Sequence, residues 1–308
     1  MDLRYPVYAR NAMTGQRHLN FIPSFVGRLL GWWEFKWLDL TTLTVAREHP
    51  KAQLINGIAQ RLLPHVWSDP ETVQRRAEIR VIQNDSIMNA YCDSGTMNIA
   101  IFTGIIKKIQ KADAQNFGKP ELDNIPVEDK IAAVLAHEMA HAQGEHIGRQ
   151  SSVYYLCTAP LMLVLGTARS ILFLAMGKIH DVLEKEKEGT PLRPLYELAQ
   201  NVILTAQTVL GFILVLPALI IANGYVSQRC ELEADKYGMQ LLRRSQYDPR
   251  AMVWATHFMA DKLGSVAGAT LSPLWKMMRW ISTHPVPTER IAAAEAALRE
   301  LQAQPPAP

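Results

Sequence analysis

Apolar and polar positions along this chain change period several times, and each change predicts an element. Residues 78–83 (EIRVIQ) and 96–103 (TMNIAIFT) alternate as strands do, with the turn-forming Asp93-Ser94-Gly95 between them. Residues 47–63 read as a helix, Gly104 opens a short one through about Lys111, and a polar loop (DAQNFGKPELDNIP) ends at Pro126. A helix is predicted from about Val127 to Gly148, with Glu128 and Asp129 in the first turn, where the helix dipole favours acids. Further helices are predicted over 227–246, ended by Asp248-Pro249, over 249–263, over 273–280 and from Thr288 to Gln302. The sum is an α+β fold, mainly helical, with a small sheet.

Between the helices at 127–148 and 227–246 the periodicity gives way to long apolar runs. No charge occurs from Gln150 to Ala168, and after Arg169 the run resumes as SILFLAMG. A second run, from Ala199 to Gln228, carries no charge at all. A membrane helix needs roughly 20 apolar residues, so the second run qualifies outright. The first qualifies if Arg169 lies near its end, since at the bilayer centre it would cost about 2.5–3.5 kcal/mol. By length the pattern predicts a membrane hairpin joined by the charged loop KIHDVLEKEKEGTPLRPLYE; the alternative is two helices buried in a soluble core. Basic residues flank the hairpin on both sides, so they set no orientation.

The expected organisation follows. Residues 1–46 form an aromatic-rich segment, with Trp32, Trp33 and Trp37 beside Lys36, suited either to a membrane interface or to wrapping the core. Residues 47–150 and 227–303 form the two halves of one domain, 151–226 the apolar hairpin, and 304–308 a disordered tail. Apolar residues make up 48% of the 308 and charged residues 20%, which excludes a disordered chain. A net charge of +3 and the lack of a basic stripe with interleaved aromatics exclude nucleic acid as a partner. Cys92, Cys157 and Cys230 lie far apart and read as free thiols, as in a reducing compartment. No continuous apolar segment near Met1 suggests a secretory signal.

The chemistry concentrates at residues 134–146, VLAHEMAHAQGEH. His137 and His141 stand four residues apart, about 40° in rotation, so both rings leave one face of a helix. Two neutral imidazole nitrogens at that spacing can reach one zinc ion, and Glu138, displaced sideways, is placed to take a proton from water on the metal. The preceding IAAVLA buries the helix, and buried histidines and acids need partners.

A third ligand is required. His146 lies about 140° from His141 on a continuous helix, pointing elsewhere, and is set aside. His180 in the charged loop and His257 have no supporting context. The better candidate lies in SQRCELEADKYG, where Glu231 and Asp235 share a helix face at i,i+4 while Glu233 points across. Glu231 can ligate, and Asp235 can accept a hydrogen bond from a ligating histidine and fix its tautomer. Taken alone, the segment would read first as a solvated acidic face.

HEMAH at 137–141, followed by an apolar insert and RCELEADKYG at 229–238, resembles the HtpX-type and Oma-type zinc metallopeptidases. These belong to the gluzincin family that also holds the CAAX prenyl protease. Asn89-Ala90 resembles the family's edge-strand element that pairs with substrate backbone, and His284-Pro285, with Arg290 beyond it, resembles its His-Pro loop. The resemblance runs from about Arg80 to Arg290. It implies a gluzincin-like catalytic domain with one Zn2+ per chain on His137, His141 and Glu231, Glu138 as general base and Asp235 behind a ligating histidine. His284 and Arg290 would stabilise the oxyanion or gate the metal. HtpX proteins usually have two membrane helices before HExxH, where this chain has only its Trp-rich segment, so the motif order is nearer the Oma type.

The reading implied is a membrane-associated zinc endopeptidase acting on polypeptides, suited to protein quality control. Two spans and no signal segment would place the catalytic domain on the cytoplasmic face of an inner or plasma membrane. A membrane scaffold or chaperone with a structural or inactive zinc site, and a soluble metalloprotease with the hairpin buried, remain the alternatives. Oligomeric state and natural substrate have no signature in the sequence.

Overall fold

A computed structural model describes residues 8–11, 13–19, 29, 33, 36, 41–67, 77–92, 97–185, 192–267 and 287–304. Chain contacts divide it into two units, Met1–Ser152 with Gly224–Pro308, and Val153–Asn223.

In the first unit, β1 (Tyr8–Arg10) and β2 (Arg17–Leu19) form an antiparallel hairpin. Helix α1 (Pro50–Leu62) follows, capped where the Lys51 N–H donates to His49 Nδ1. Three short strands, β3 (Ile79–Ile82), β4 (Ala90–Cys92) and β5 (Ile99–Phe102), make a sheet in the order β3-β5-β4. β3 runs parallel to β5, Val81 opposite Ile101, while β4 pairs antiparallel at the edge, Tyr91 opposite Ala100. All four residues of β5 are buried, which its apolar run IAIF requires of a strand covered on both faces. The Asp93-Ser94-Gly95 turn lies outside the described residues.

Helix α2 (Thr103–Lys111) leaves β5 directly. Gly104 is obligatory there, because a Cβ would meet the Ile87 carbonyl oxygen at 2.2 Å. Helix α3 (Val127–Gln143) passes through the centre with Ile131, Leu135 and Met139 fully buried. Each such side chain stabilises the fold by roughly 1.5–3 kcal/mol relative to exposure. Its acidic first turn also anchors a later segment. The Tyr247 hydroxyl donates to Glu128 at 3.1 Å and the Asp248 N–H to Asp129 at 2.7 Å. The helix ends five residues earlier than its pattern predicts: Gly144 caps it and Glu145 takes φ +50°, breaking the ladder.

Helix α4 (His146–Lys185) and helix α5 (Leu192–Arg244) run through the apolar stretches, so the acidic helix expected at 227–246 is the end of α5. Asp248 caps α6 (Arg250–Ala267), accepting from the Arg250 N–H, and α7 (Pro287–Ala303) packs on α6. The helix expected at 273–280 lies outside the described residues. Gly238 sets how closely α5 meets α3: a Cβ there would lie 3.1 Å from the His137 nitrogen and 2.6 Å from Met252 Cε.

The second unit consists of the adjoining parts of α4 and α5. The Tyr196 hydroxyl donates to the Met176 carbonyl at 2.6 Å, tying one helix to the other. Among the described residues one stretch, Gly148–Lys178, is long and apolar enough to cross a membrane. It presents Leu163, Val164, Ile171, Phe173 and Leu174 outward. In the second run, side chains of 207–208 and 210–225 lie outside the described residues, as does most of the Trp-rich segment.

Candidate metal centre

Helices α3 and α5 bring their i,i+4 pairs face to face in the first unit. His137 and His141 project from α3 with their Nε2 atoms 3.0 Å apart. Glu231, on α5 and nearly buried, lies with Oε1 3.3 Å from His141 Nε2 and Oε2 3.6 Å from His137 Nε2. One ligand atom from each of the three lies within 4.8 Å of the others, close enough to share one ion. Two imidazoles and a carboxylate are the donor set of a zinc site with an open position.

The groups behind these three are equally ordered. Asp235 Oδ1 lies 2.9 Å from His137 Nδ1, so that nitrogen donates to the carboxylate and Nε2 is left with its lone pair. Burial would raise the Asp235 pKa, but Arg290 and then His137 outweigh it and hold the acid below its ordinary value. Arg290, from the start of α7, donates through Nε and Nη2 to Asp235 at 2.7 and 2.8 Å, and its Nη1 lies 2.8 Å from Glu231. Arg290 is thus engaged with two of the site's carboxylates. His284 lies outside the described residues.

Glu138 is half-buried and lines a cavity of about 560 Å3 with Asn89, Tyr91, His137, Thr256 and Arg290. Burial pushes its pKa up, against the pull of His137 and His141. Asn89 and Ala90 reach the same cavity at the edge of the sheet: Ala90 opens β4, and the Asn89 carbonyl accepts from the Phe102 N–H at 3.1 Å. A larger cavity of about 930 Å3, between α1 and β3, contains none of these groups. Cys230 is no rival nucleophile, since burial raises its thiol to about 11.

His146 stands otherwise than helix geometry foretold. The rotation argument assumed an unbroken helix, but the break at Gly144-Glu145 turns His146 back onto the site. Its Nδ1 lies 2.8 Å from His141 Nδ1, and the ring is buried. Burial lowers its pKa to about 4. Glu233, expected to point across, faces this ring at 3.6 Å and accepts from Arg149 at 2.9 Å and from the Asn11 amide. Burial opposes ionisation of Glu233, yet the nearby His146 ring and the Arg149 guanidinium prevail and hold it at about 2. Its signal was Gly144-Glu145, a helix stop four residues before Gly148. His257 stacks on Phe117, with ring centroids 5.5 Å apart, away from the metal centre.

Comparison with known proteins agrees with this geometry. The chain is 28% identical over 242 residues to the beta-barrel assembly-enhancing protease of Escherichia coli (strain K12), covering 79% of this chain and 38% of the relative. It is 26% identical over 255 residues to the protein of that name from Yersinia pestis, covering 83% of this chain and 40% of the relative. The chain therefore spans about two-fifths of the length of these relatives. Residues 56–298 match Peptidase family M48, a span that includes both HEMAH and the Glu231 helix, and the chain belongs to that family of metallopeptidases.

Proposed function

We propose that this chain is a zinc-dependent, membrane-associated endopeptidase. The observation that carries the reading is the convergence of His137, His141 and Glu231 from two helices beside a half-buried glutamate in an open cavity. His137, His141 and Glu231 would hold the ion. Zinc bound there supplies Lewis-acid polarisation of a carbonyl and lowers the pKa of water to about 7. Asp235 keeps His137 in the tautomer whose Nε2 faces the site, and Arg290 offsets the charge of Asp235 and Glu231. Glu138 accepts a proton from water in the cavity and returns it to the leaving amine. A polypeptide substrate would lie extended along β4 near Asn89 and Ala90, since that strand is the edge of its sheet and its residues line the cavity.

The exposed apolar face of Gly148–Lys178 supports anchorage in a bilayer, with α4 and the second run as a spanning hairpin. Cleavage of misfolded or damaged membrane proteins fits such an anchor, as does the name of the relatives, which links them to β-barrel assembly. Two spans would return both halves of the metal centre to one side of the membrane. Metal analysis coupled to casein cleavage tests the enzymatic reading. One zinc per chain, with activity abolished by chelator and restored by zinc, is the expected result. Cleavage that persists without metal, or a metal-free native protein, would overturn it.

A further inference from the structure

Every metal-ligating histidine has a second nitrogen, and what that nitrogen meets decides its tautomer and the direction of the ring. For His137 the partner is Asp235. For His141 the partner at Nδ1 is another ring, His146, whose Nδ1 lies 2.8 Å away. Two imidazole nitrogens at that distance share one proton, one donating and the other accepting. If His141 turns its Nε2 lone pair toward the metal position, where Nε2 faces Glu231, then Nδ1 carries the proton and His146 Nδ1 must accept it. His146 then carries its own proton on Nε2, the atom facing Glu233 Oε1.

We infer that His146 is the positioning residue of His141, with Glu233, itself fixed by Arg149 and Asn11, facing its second nitrogen at 3.6 Å. Three independent features of the chain are arranged around this ring. A Cβ at Gly144 would lie 2.2 Å from His146 Nε2, so only glycine leaves room for the ring to fold back. Glu145 takes φ +50°, the left-handed conformation that stops α3 and returns His146 to His141. Glu233 anchors Arg149 at 2.9 Å and the amide of Asn11, whose Oδ1 in turn accepts from the Met13 N–H at 2.8 Å. Met13 packs with Ala140 and Ala234, so the β1–β2 hairpin rests on both site helices beside this relay. A histidine that merely filled space would need neither the glycine nor the carboxylate.

The inference rests on the zinc reading above and is separable from it by experiment. In the detergent-solubilised 308-residue chain, zinc affinity is measured by competition with a chromogenic chelator for wild type, His146→Leu and His146→Gln. The absorption spectrum of the Co2+ form and the separate values of kcat and KM accompany it. His146→Leu should bind zinc about 10–100-fold more weakly, alter the Co2+ spectrum and lower kcat with little change in KM. His146→Gln should recover most of the loss, since its amide can accept from His141 and donate to Glu233. A folded His146→Leu protein with wild-type affinity and spectrum would overturn the inference. Should that variant fail to fold, Glu233→Gln carries the test: several-fold weaker zinc binding supports the relay and unchanged affinity overturns it. Wild type that binds no zinc would instead sink the proposed function.

Discussion

Arg290 grips Asp235 with two hydrogen bonds, at 2.7 and 2.8 Å, and places its remaining nitrogen 2.8 Å from Glu231. Asp235 and Glu231 have side chains only 3% and 7% exposed, so removing the guanidinium strands two buried carboxylates. Arg290→Ala should destabilise the metal-free protein by about 3–5 kcal/mol, and the zinc-loaded protein by less, because a bound cation also faces Glu231. Arg290→Lys keeps the charge but loses the two-point grip and should fall between. Denaturant unfolding with and without zinc decides this, and equal stability of Arg290→Ala and wild type would refute it.

This role for Arg290 was not legible in the sequence, whereas the pairs His137/His141 and Glu231/Asp235 were. Spacing of four residues on a helix fixes a shared face whatever the surroundings. Arg290 belongs to a separate helix, and only tertiary packing sets its partners. His146 was misplaced for a related reason: a rotation counted through Gly144-Glu145 fails where the helix stops. β4 is three residues long, too short for periodicity to mark, and Asn89-Ala90 drew attention only through the family resemblance. The main helices were legible because their apolar faces repeat over several turns.

Glu138 lines the cavity beside both histidines without belonging to the three-ligand group. Glu138→Gln keeps the size of the side chain and removes its basicity. It should retain one zinc per chain while kcat for casein or a reporter peptide falls by about 10²–10⁴-fold. A variant that cleaves as fast as wild type would remove Glu138 from the mechanism.

Gly238 lies where the ligand-bearing helices approach each other closely. A Cβ there has the backbone nitrogen of His137 at 3.1 Å and the Ala136 carbonyl carbon at 3.2 Å, neither of which can rotate away as Met252 can. Gly238→Ala should cost about 1–3 kcal/mol through overpacking and weaken zinc binding by moving Glu231 relative to His137. Chelator competition read beside thermal unfolding measures both. Wild-type zinc affinity in this variant would show that α3 and α5 absorb the methyl without shifting the ligands.

Zinc should also act as a folding ligand, because its three donors come from helices far apart in sequence. At a free concentration 100 times its dissociation constant, it should stabilise the protein by about 2.7 kcal/mol. A melting temperature that rises with zinc and falls back on chelation is expected. His141→Ala should abolish the rise, and a zinc response that survives this change would locate the stabilising ion elsewhere.

Leu163 and Val164 are 72% and 64% exposed on α4, and Phe173 on the same helix is 70% exposed. Water is a poor solvent for such a contiguous apolar surface, whereas hydrocarbon would cover it without cost. Wild type should therefore stay with the membrane pellet after alkaline carbonate extraction. Leu163→Arg places a charge well inside the stretch Gly148–Lys178 and should cost about 2.5–3.5 kcal/mol of insertion, moving a measurable fraction into the supernatant. A lysine replacing the half-buried Arg149 would not, since that position lies at the end of the stretch and is already charged. Complete release of wild type by carbonate would show that these side chains meet protein rather than lipid, and would leave the metal centre on a soluble enzyme.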